Sequence, residues 1–327
     1  MIKFILHGGK SRIDCENNRL FYQAMFDFDS DEINLLVVSF AKPEGQRDFT
    51  EELNKIIKLN PNKKINFEQA TEIEFIEQIK KADSIYLRGG DTDSLKQVLS
   101  QFSNFKYLLD GKIIAGSSAG FIALSKYYYD QDYDAIIDGL NILPIKTISH
   151  FGLPNQYNLD CVKELEDLDA YKAEEGLETI ALKETEFVIK KVKKFHDVAL
   201  IVFYNNDGQI LLQDRSQNSK IGEKWGFFGG HIEDGETIEQ AVIRETREEL
   251  GINIDDHIFI GNRDTMNDGI VINHSIFVSP LADKAKEFNL QEGRGYKLFS
   301  VNEARSLPMV PGDEKVLDLV EQYLLNK

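Results

Sequence analysis

Four short runs rich in β-branched and apolar residues punctuate the first part of the chain: IKFIL, NLLVVSF, SIYLRGG and KIIAGSS. Helix-like stretches such as FTEELNKIIKL and TEIEFIEQIKKA lie between them. This rhythm predicts an α/β fold, a doubly wound and mostly parallel sheet with helices on both faces. Several runs end in small residues. Loops at the carboxyl ends of such strands are where functional groups gather.

At 327 residues the chain is too long for one ordinary core. Its pattern changes after the basic run KKVKK at 190–194, which reads as a solvated linker or strand edge. Beyond it, DVALIVFYNNDGQILLQDR reads as a hairpin turning through Asn205, Asn206, Asp207 and Gly208. A Gly-rich strand end, an amphipathic helix, two strands (HIFIGNR and VINHSIFVSPL) and a closing helix, GDEKVLDLVEQYLL, follow. The expectation is two domains, 1–193 and 194–327, the second a compact α+β unit.

A formal charge of −17 disfavours binding to a nucleic acid polymer, whose backbone rewards a basic surface. It leaves polyphosphate substrates open, because bound divalent cations reverse the sign of a site locally. The only cysteines, Cys15 and Cys161, are far apart and outside any CxxC spacing, which argues against a disulfide framework or structural zinc. The start, MIKFILHGGK, reads as a first strand and its turn rather than a signal peptide, and no apolar stretch approaches membrane-spanning length. These features predict a cytoplasmic protein with no membrane partner.

The stretch RETREELGI, 244–252, puts Glu245, Glu248 and Glu249 at i, i+3 and i+4, on one side of a helix. Like charges at that spacing repel by a few tenths of a kcal/mol per pair. Three carboxylates within about a 100° arc also form a hard-oxygen site suited to Mg²⁺ or Mn²⁺, and such an ion removes the repulsion. The longer pattern GHIEDGETIEQAVIRETREELGI, 230–252, resembles the Nudix box: Gly230, Glu236, Arg244, Glu245, Glu248, Glu249, Gly251 and Ile252 fall in register. Thr246 departs from it, standing where an aliphatic residue is expected. The preceding loop, WGFFGG, lacks the proline common before the glycines.

That resemblance implies a Mg²⁺-dependent (or Mn²⁺-dependent) pyrophosphohydrolase acting on a nucleoside diphosphate derivative. Glu248 and Glu249 would be the central metal ligands and Glu245 a further ligand or the base that orients water. The carbonyl of Gly230 would complete the shell, and an acidic residue outside the box is expected, for which Glu292 is the candidate. Arg244 and Glu236 would pair and hold the loop to the helix.

In the first half, IIAGSSAGF ends a strand, and Gly116, Ser118 and Gly120 match the nucleophile elbow G-x-S-x-G. Such a turn exposes the serine Oγ and offers the N–H of Ala119 to an oxyanion. LRGGDTDSL lies one strand earlier and SHF, 149–151, one strand later. Together these segments resemble the peptidase E and cyanophycinase family of serine peptidases, whose fold is like that of class I glutamine amidotransferases. The resemblance implies Ser118 as nucleophile, His150 as general base and Gly90 as second oxyanion donor. The third member is left between Glu184, in TIALKETEF, and Asp130, in KYYYDQD. No arginine follows the histidine segment to hold a substrate carboxylate, as the aspartyl-dipeptidase members require. The substrate expected is therefore a small peptide or acyl compound of unspecified side chain.

Three functional readings follow. One is a bifunctional hydrolase. Another is a Nudix enzyme whose silent first domain supplies stability or homodimerisation. In the third, the Nudix half senses a nucleotide derivative and gates the peptidase.

Overall fold

The structure, a computed structural model, describes residues 1–102, 104–153, 161–217, 222–233 and 235–327. It divides into two units, Met1–Lys194 and Phe195–Lys327.

The first unit contains strands β1 (Ile2–His7), β2 (Glu32–Val38), β3 (Lys64–Gln69), β4 (Ser84–Leu87), β5 (Ile113–Ser117), β6 (Ser125–Asp130), β7 (Ala135–Asp138), β8 (Leu143–Ile148), β9 (Glu178–Ala181) and β10 (Phe187–Val192). Its main sheet has the order β10-β1-β5-β4-β2-β3. All neighbours are parallel except β10, which runs antiparallel along β1. Ile5 packs with Phe21 and Tyr22 of helix Glu16–Ala24 and with Ile56 of helix Thr50–Leu59. Phe4 and Leu6, which alternate to the opposite face, are equally buried. Burial on both faces is why these strands read as unbroken apolar runs, as parallel sheets do.

A second sheet, β7-β6-β8-β9, was not foreseen from the sequence. Strands β8 and β9 are parallel, with Ile148 opposite Ala181. The residues that follow each strand therefore emerge side by side, a register that matters for the site below. The basic run 190–194 is a strand edge that ends at the boundary between the units. Residues 190–192 form the end of edge strand β10, where Val192 is buried opposite Ile2 and Lys190 pairs with Glu178 at 2.6 Å.

The second unit contains β11 (Lys194–Tyr204), β12 (Ile210–Asp214), β13 (Trp225–Gly226), β14 (Phe228–His231), β15 (Ile258–Asn267), β16 (Ile270–Pro280) and β17 (Gly295–Phe299). The sheet runs β13-β12-β11-β16-β15, with β14 also paired to β11 and β17 to β12. The hairpin between β11 and β12 is closed by the Asn205 side chain, which accepts the N–H groups of Asp207 and Gln209. Helix Ile238–Leu250 buries Ala241, Val242 and Leu250 against Ala199, Ile201 and Phe228. Helix Asp313–Leu325 buries Val316, Leu317 and Val320 against Val202, Leu212 and Ile276 on the other face. The first of these helices starts in a capping box, Thr237 with Gln240, and stops at Gly251, whose φ of 70° suits a glycine C-cap. Among the described residues no helix is long and apolar enough to cross a membrane.

The turn after β5 depends on close backbone approach. A Cβ at Gly120 would lie 2.1 Å from the carbonyl oxygen of Leu87, a backbone atom that cannot swing aside. Gly120→Ala is therefore expected to destabilise the first unit by about 1–3 kcal/mol, the range for forced overpacking. Urea denaturation followed by near-ultraviolet dichroism checks this, and an unchanged midpoint would contradict the packing.

Candidate active sites

Ser118 sits between β5 and the short helix Ala119–Ile122, with φ 52° and ψ −115°. A non-glycine residue with these angles carries strain of order 1–3 kcal/mol and persists only where its surroundings hold it. The hold comes from its own N–H, which donates to the carbonyl of His7 at 3.0 Å. The Oγ lies 2.8 Å from Nε2 of His150, and Nδ1 of His150 lies 3.1 Å from Oε1 of Glu184. An ionised carboxylate only accepts, so Nδ1 carries the proton and Nε2 is free to accept from the serine.

The parallel register of β8 and β9 makes this geometry. Leu182 N–H donates to Ile148 O at 2.9 Å and Phe151 N–H to Leu182 O at 3.0 Å. His150 and Glu184 are thereby carried out of adjacent strands on the same side. Glu184 also meets Lys10 Nζ at 3.0 Å. Asp130 is not the partner of His150 in this structure: its Oδ1 accepts the N–H groups of Asp132 and Tyr133 and holds the turn between β6 and β7.

Behind the imidazole stands a platform with no motif to mark it. His7 is fully buried, with Nε2 donating to Asn18 Oδ1 at 2.8 Å and Nδ1 accepting the N–H of Gly9 at 3.1 Å. Burial lowers its pKa to about 4, so it stays neutral. Gly9 lies flat against His150: a Cβ there would be 2.1 Å from the ring's Cε1. Gly90 lines the same cavity as Ser118 and His150, and a Cβ on it would lie 2.1 Å from Ala41 O. As the first residue of its helix, Ala119 has an N–H without an intrahelical acceptor.

In the second unit, the side chain of Arg244 gathers the acids of the helix and the loop. Its Nε and Nη2 bond both oxygens of Glu236 at 2.9 and 3.0 Å, and Nη2 also bonds the carbonyl of His231 at 2.8 Å. Its Nη1 reaches Glu245 at 2.8 Å and Glu248 at 3.2 Å. The guanidinium is the cation between these two glutamates.

Glu249 is different. It is buried, accepts the N–H of Gly229 at 2.8 Å, and burial raises its pKa to about 8, with Glu245 and Glu292 adding to the rise. The backbone of Gly230 faces the Glu245 carboxylate so closely that a Cβ would sit 2.5 Å from Oε1. Glu292 is exposed and near enough for Glu249 to feel its charge. Among the described residues no three His, Cys, Asp or Glu side chains are already gathered as a metal-binding group. The donors are nonetheless all hard oxygens, and the buried carboxylate lies among others of its own charge. That chemistry fits a divalent ion.

Comparison with known proteins agrees with this division. The profile of peptidase family S51 matches residues 15–197, and that of the NUDIX domain matches residues 194–320. The chain belongs to peptidase family S51 and carries a Nudix domain. It is similar to the CTP pyrophosphohydrolase of Escherichia coli (strain K12), 31% identical over 127 residues, which are 39% of this chain and 91% of that protein. It is 40% identical over 62 residues to the 8-oxo-dGTP diphosphatase of Proteus vulgaris, covering 19% of this chain and about half, 54%, of that one. The solution structure of the E. coli ORF135 protein aligns at 25% identity with a TM-score of 0.32, over 40% of this chain and 90% of the other. Both families are hydrolases, and so is this chain.

In the Nudix unit, the hydroxyl of Thr246 is not left unsatisfied. Thr246 is fully buried and its hydroxyl donates to Val242 O at 2.6 Å, one turn back. In the S51 unit the segment after the histidine, where an arginine is missing, is described only to Leu153 and from Cys161; residues 154–160 lie outside the described residues. The Nudix unit also holds a buried acid that no motif marks. Asp313 opens the closing helix, where an acidic residue ordinarily faces solvent, yet burial raises its pKa to about 7, against the lowering effects of the Phe227 N–H and Arg215.

A raised carboxyl pKa has a definite consequence for stability. Below about 4 the group is protonated in both states. Between the ordinary 3.8 and about 7 only the unfolded chain ionises, so stability falls with rising pH and then levels. Glu249 acts in the same direction, so the comparison must be with a variant. Without divalent ions, Asp313→Asn is expected to flatten the decline in Nudix-unit stability between pH 4 and 7. Denaturant midpoints that fall equally in both proteins would refute the assignment.

Proposed function

We propose that this chain is a bifunctional hydrolase, with serine-type acyl hydrolysis in its S51 unit and hydrolysis of a nucleoside phosphoanhydride in its Nudix unit. The observation that carries the first activity is the unbroken line from Ser118 Oγ through His150 to Glu184, at 2.8 and 3.1 Å. In this reading the Ser118 proton passes to Nε2 of His150 as Oγ bonds the substrate carbonyl carbon. The imidazolium formed is stabilised by Glu184, and the Nε2 proton then goes to the leaving group as its bond to carbon breaks. Water deacylates the serine by the same proton path in reverse. Gly90 and Ala119 supply N–H groups to the oxyanion. A silent first unit would have no need of a strained serine aligned on an imidazole, which favours activity over a purely structural role.

In the Nudix unit, Glu248 and Glu249 would hold Mg²⁺ or Mn²⁺, with Glu245 and the carbonyl of Gly230 beside them and Glu292 near Glu249. When bound, such an ion stabilises developing charge on phosphate oxygens and acidifies a coordinated water. Arg244 and Glu236 position the loop against the helix, and freeing Glu248 from Arg244 leaves its second oxygen available. The similarity to the CTP pyrophosphohydrolase and the 8-oxo-dGTP diphosphatase supports a nucleotide substrate cleaved at an anhydride.

Two measurements test the pair of activities on the intact chain. Glu248→Gln and Glu249→Gln are each expected to lower Mg²⁺-dependent turnover of a nucleotide panel by on the order of a hundredfold or more. Turnover unaffected by both changes would end the metal assignment. A fluorophosphonate probe is expected to label the wild type and not Ser118→Ala, and an unlabelled wild type would point to a silent S51 unit.

A further inference from the structure

The acid that faces His150 has two partners. Oε1 of Glu184 lies 3.1 Å from Nδ1 of His150, and Oε2 lies 3.0 Å from Nζ of Lys10. The lysine side chain is 55% exposed, so this ion pair adds little to stability. The chain nevertheless holds Lys10 in a conformation that lysine resists. Its φ is 52°, in the left-handed region where glycine or asparagine is at ease. Buried Asn18 fixes that turn: its Nδ2 donates to the carbonyls of Lys10 and Ile13 at 2.9 and 2.8 Å, while its Oδ1 accepts from His7.

The turn that carries the acid is strained in the same way. Thr185, a β-branched residue directly after Glu184, has φ 65°. Three backbone bonds lock the two turns to each other and to the histidine. Gly8 N–H donates to Glu186 O at 2.9 Å, Thr185 N–H to Gly9 O at 3.0 Å, and His150 N–H to Gly8 O at 2.9 Å. Strain of this kind persists where the surroundings over-determine it, and here it accompanies an ammonium and a carboxylate brought together beside His150.

Other ionisable groups around the ring are engaged differently. His7, behind it, is buried and neutral. Across the cavity, about 360 Å³ in volume, Arg12 and Arg88 share Glu52 at 3.3 and 3.5 Å. Lys42, half-buried in the same wall, has its pKa lowered by burial first and by those two guanidinium groups next. Lys183 lies over Gly152. Lys10 touches the acid itself. A carboxylate facing an imidazole favours its protonated form, and a cation on the same carboxylate offsets that preference.

We infer that Lys10 is a positioning residue of the serine site. Its ammonium holds one oxygen of Glu184 so that the other faces His150, and its charge lowers the pH at which the imidazole becomes a free base. The inference rests on the serine-hydrolase reading above and adds a residue that sets the working pH of that site.

The test follows the rate of fluorophosphonate labelling of Ser118 in the full chain from about pH 5 to 9. The rate is expected to rise with pH as His150 loses its proton. In Lys10→Met, and in Lys10→Asn, which suits the left-handed turn, the midpoint of that rise is expected about half a unit higher than in the wild type. Lys10→Arg, which keeps the charge, is expected to restore it. A lower rate with an unmoved midpoint would make Lys10 merely structural, and a profile like that of the wild type would remove it from the site; either overturns the inference while leaving the serine chemistry intact. If the wild type is not labelled, the serine reading fails, and magnetic resonance of the histidine rings decides the role of Lys10 separately. The His150 signal, assigned by its loss in His150→Gln, titrating at higher pH in both neutral variants but not in Lys10→Arg sustains the inference. An unmoved titration overturns it.

Discussion

Both candidate sites depend on backbone coming closer to their polar side chains than a further side chain would allow. In the S51 unit the α-carbon of Gly9 rests on the face of the His150 ring, and that of Gly120 lies under the carbonyl of Leu87. In the Nudix unit the α-carbon of Gly230 touches the carboxylate of Glu245. These contacts leave no room for a side chain, and positioning of reacting groups is what proton transfer through hydrogen bonds depends on. The strained backbone of Ser118 is held separately. The surrounding strands and the bond from its N–H to His7 leave the turn nowhere else to go.

A second theme is ionisable groups placed where their surroundings disfavour the charged form. Glu249 is buried among other carboxylates, and Lys42 is half-buried among guanidinium groups. Ordinary surface charges avoid both situations, because water and salt compensate them at little cost. A buried group has no such relief, and its environment instead favours whatever ligand brings the opposite sign. The overall charge of −17 says nothing about either site. Local fields of opposite sign are set by a handful of side chains at strand ends.

Legibility followed the range of the interactions. The Nudix helix was readable because its chemistry is local: glutamates three and four residues apart share a face in any helix, and Arg244 finds Glu236 only eight residues away. The nucleophile elbow was readable for the same reason, as a tight turn that needs small residues on either side of Ser118. The choice between Glu184 and Asp130 was not. Both are acids within reach along the chain, and only the register of β8 with β9 puts one of them against His150. His7 and Lys42 gave no signal at all, one being an ordinary strand-end histidine and the other an ordinary loop lysine by sequence.

What the amino-acid order determined by itself was the succession of elements and the residue types poised at their ends, because propensity, periodicity and turn chemistry act over a few residues. It thereby specified a parallel α/β unit and an α+β unit, a serine at an elbow, and a helix crowded with carboxylates. Tertiary structure alone decided which acid meets the imidazole, which glutamate loses its water, and which lysine stands in the cavity. Those outcomes rest on strand order and burial, and burial is a property of segments brought together from distant parts of the chain.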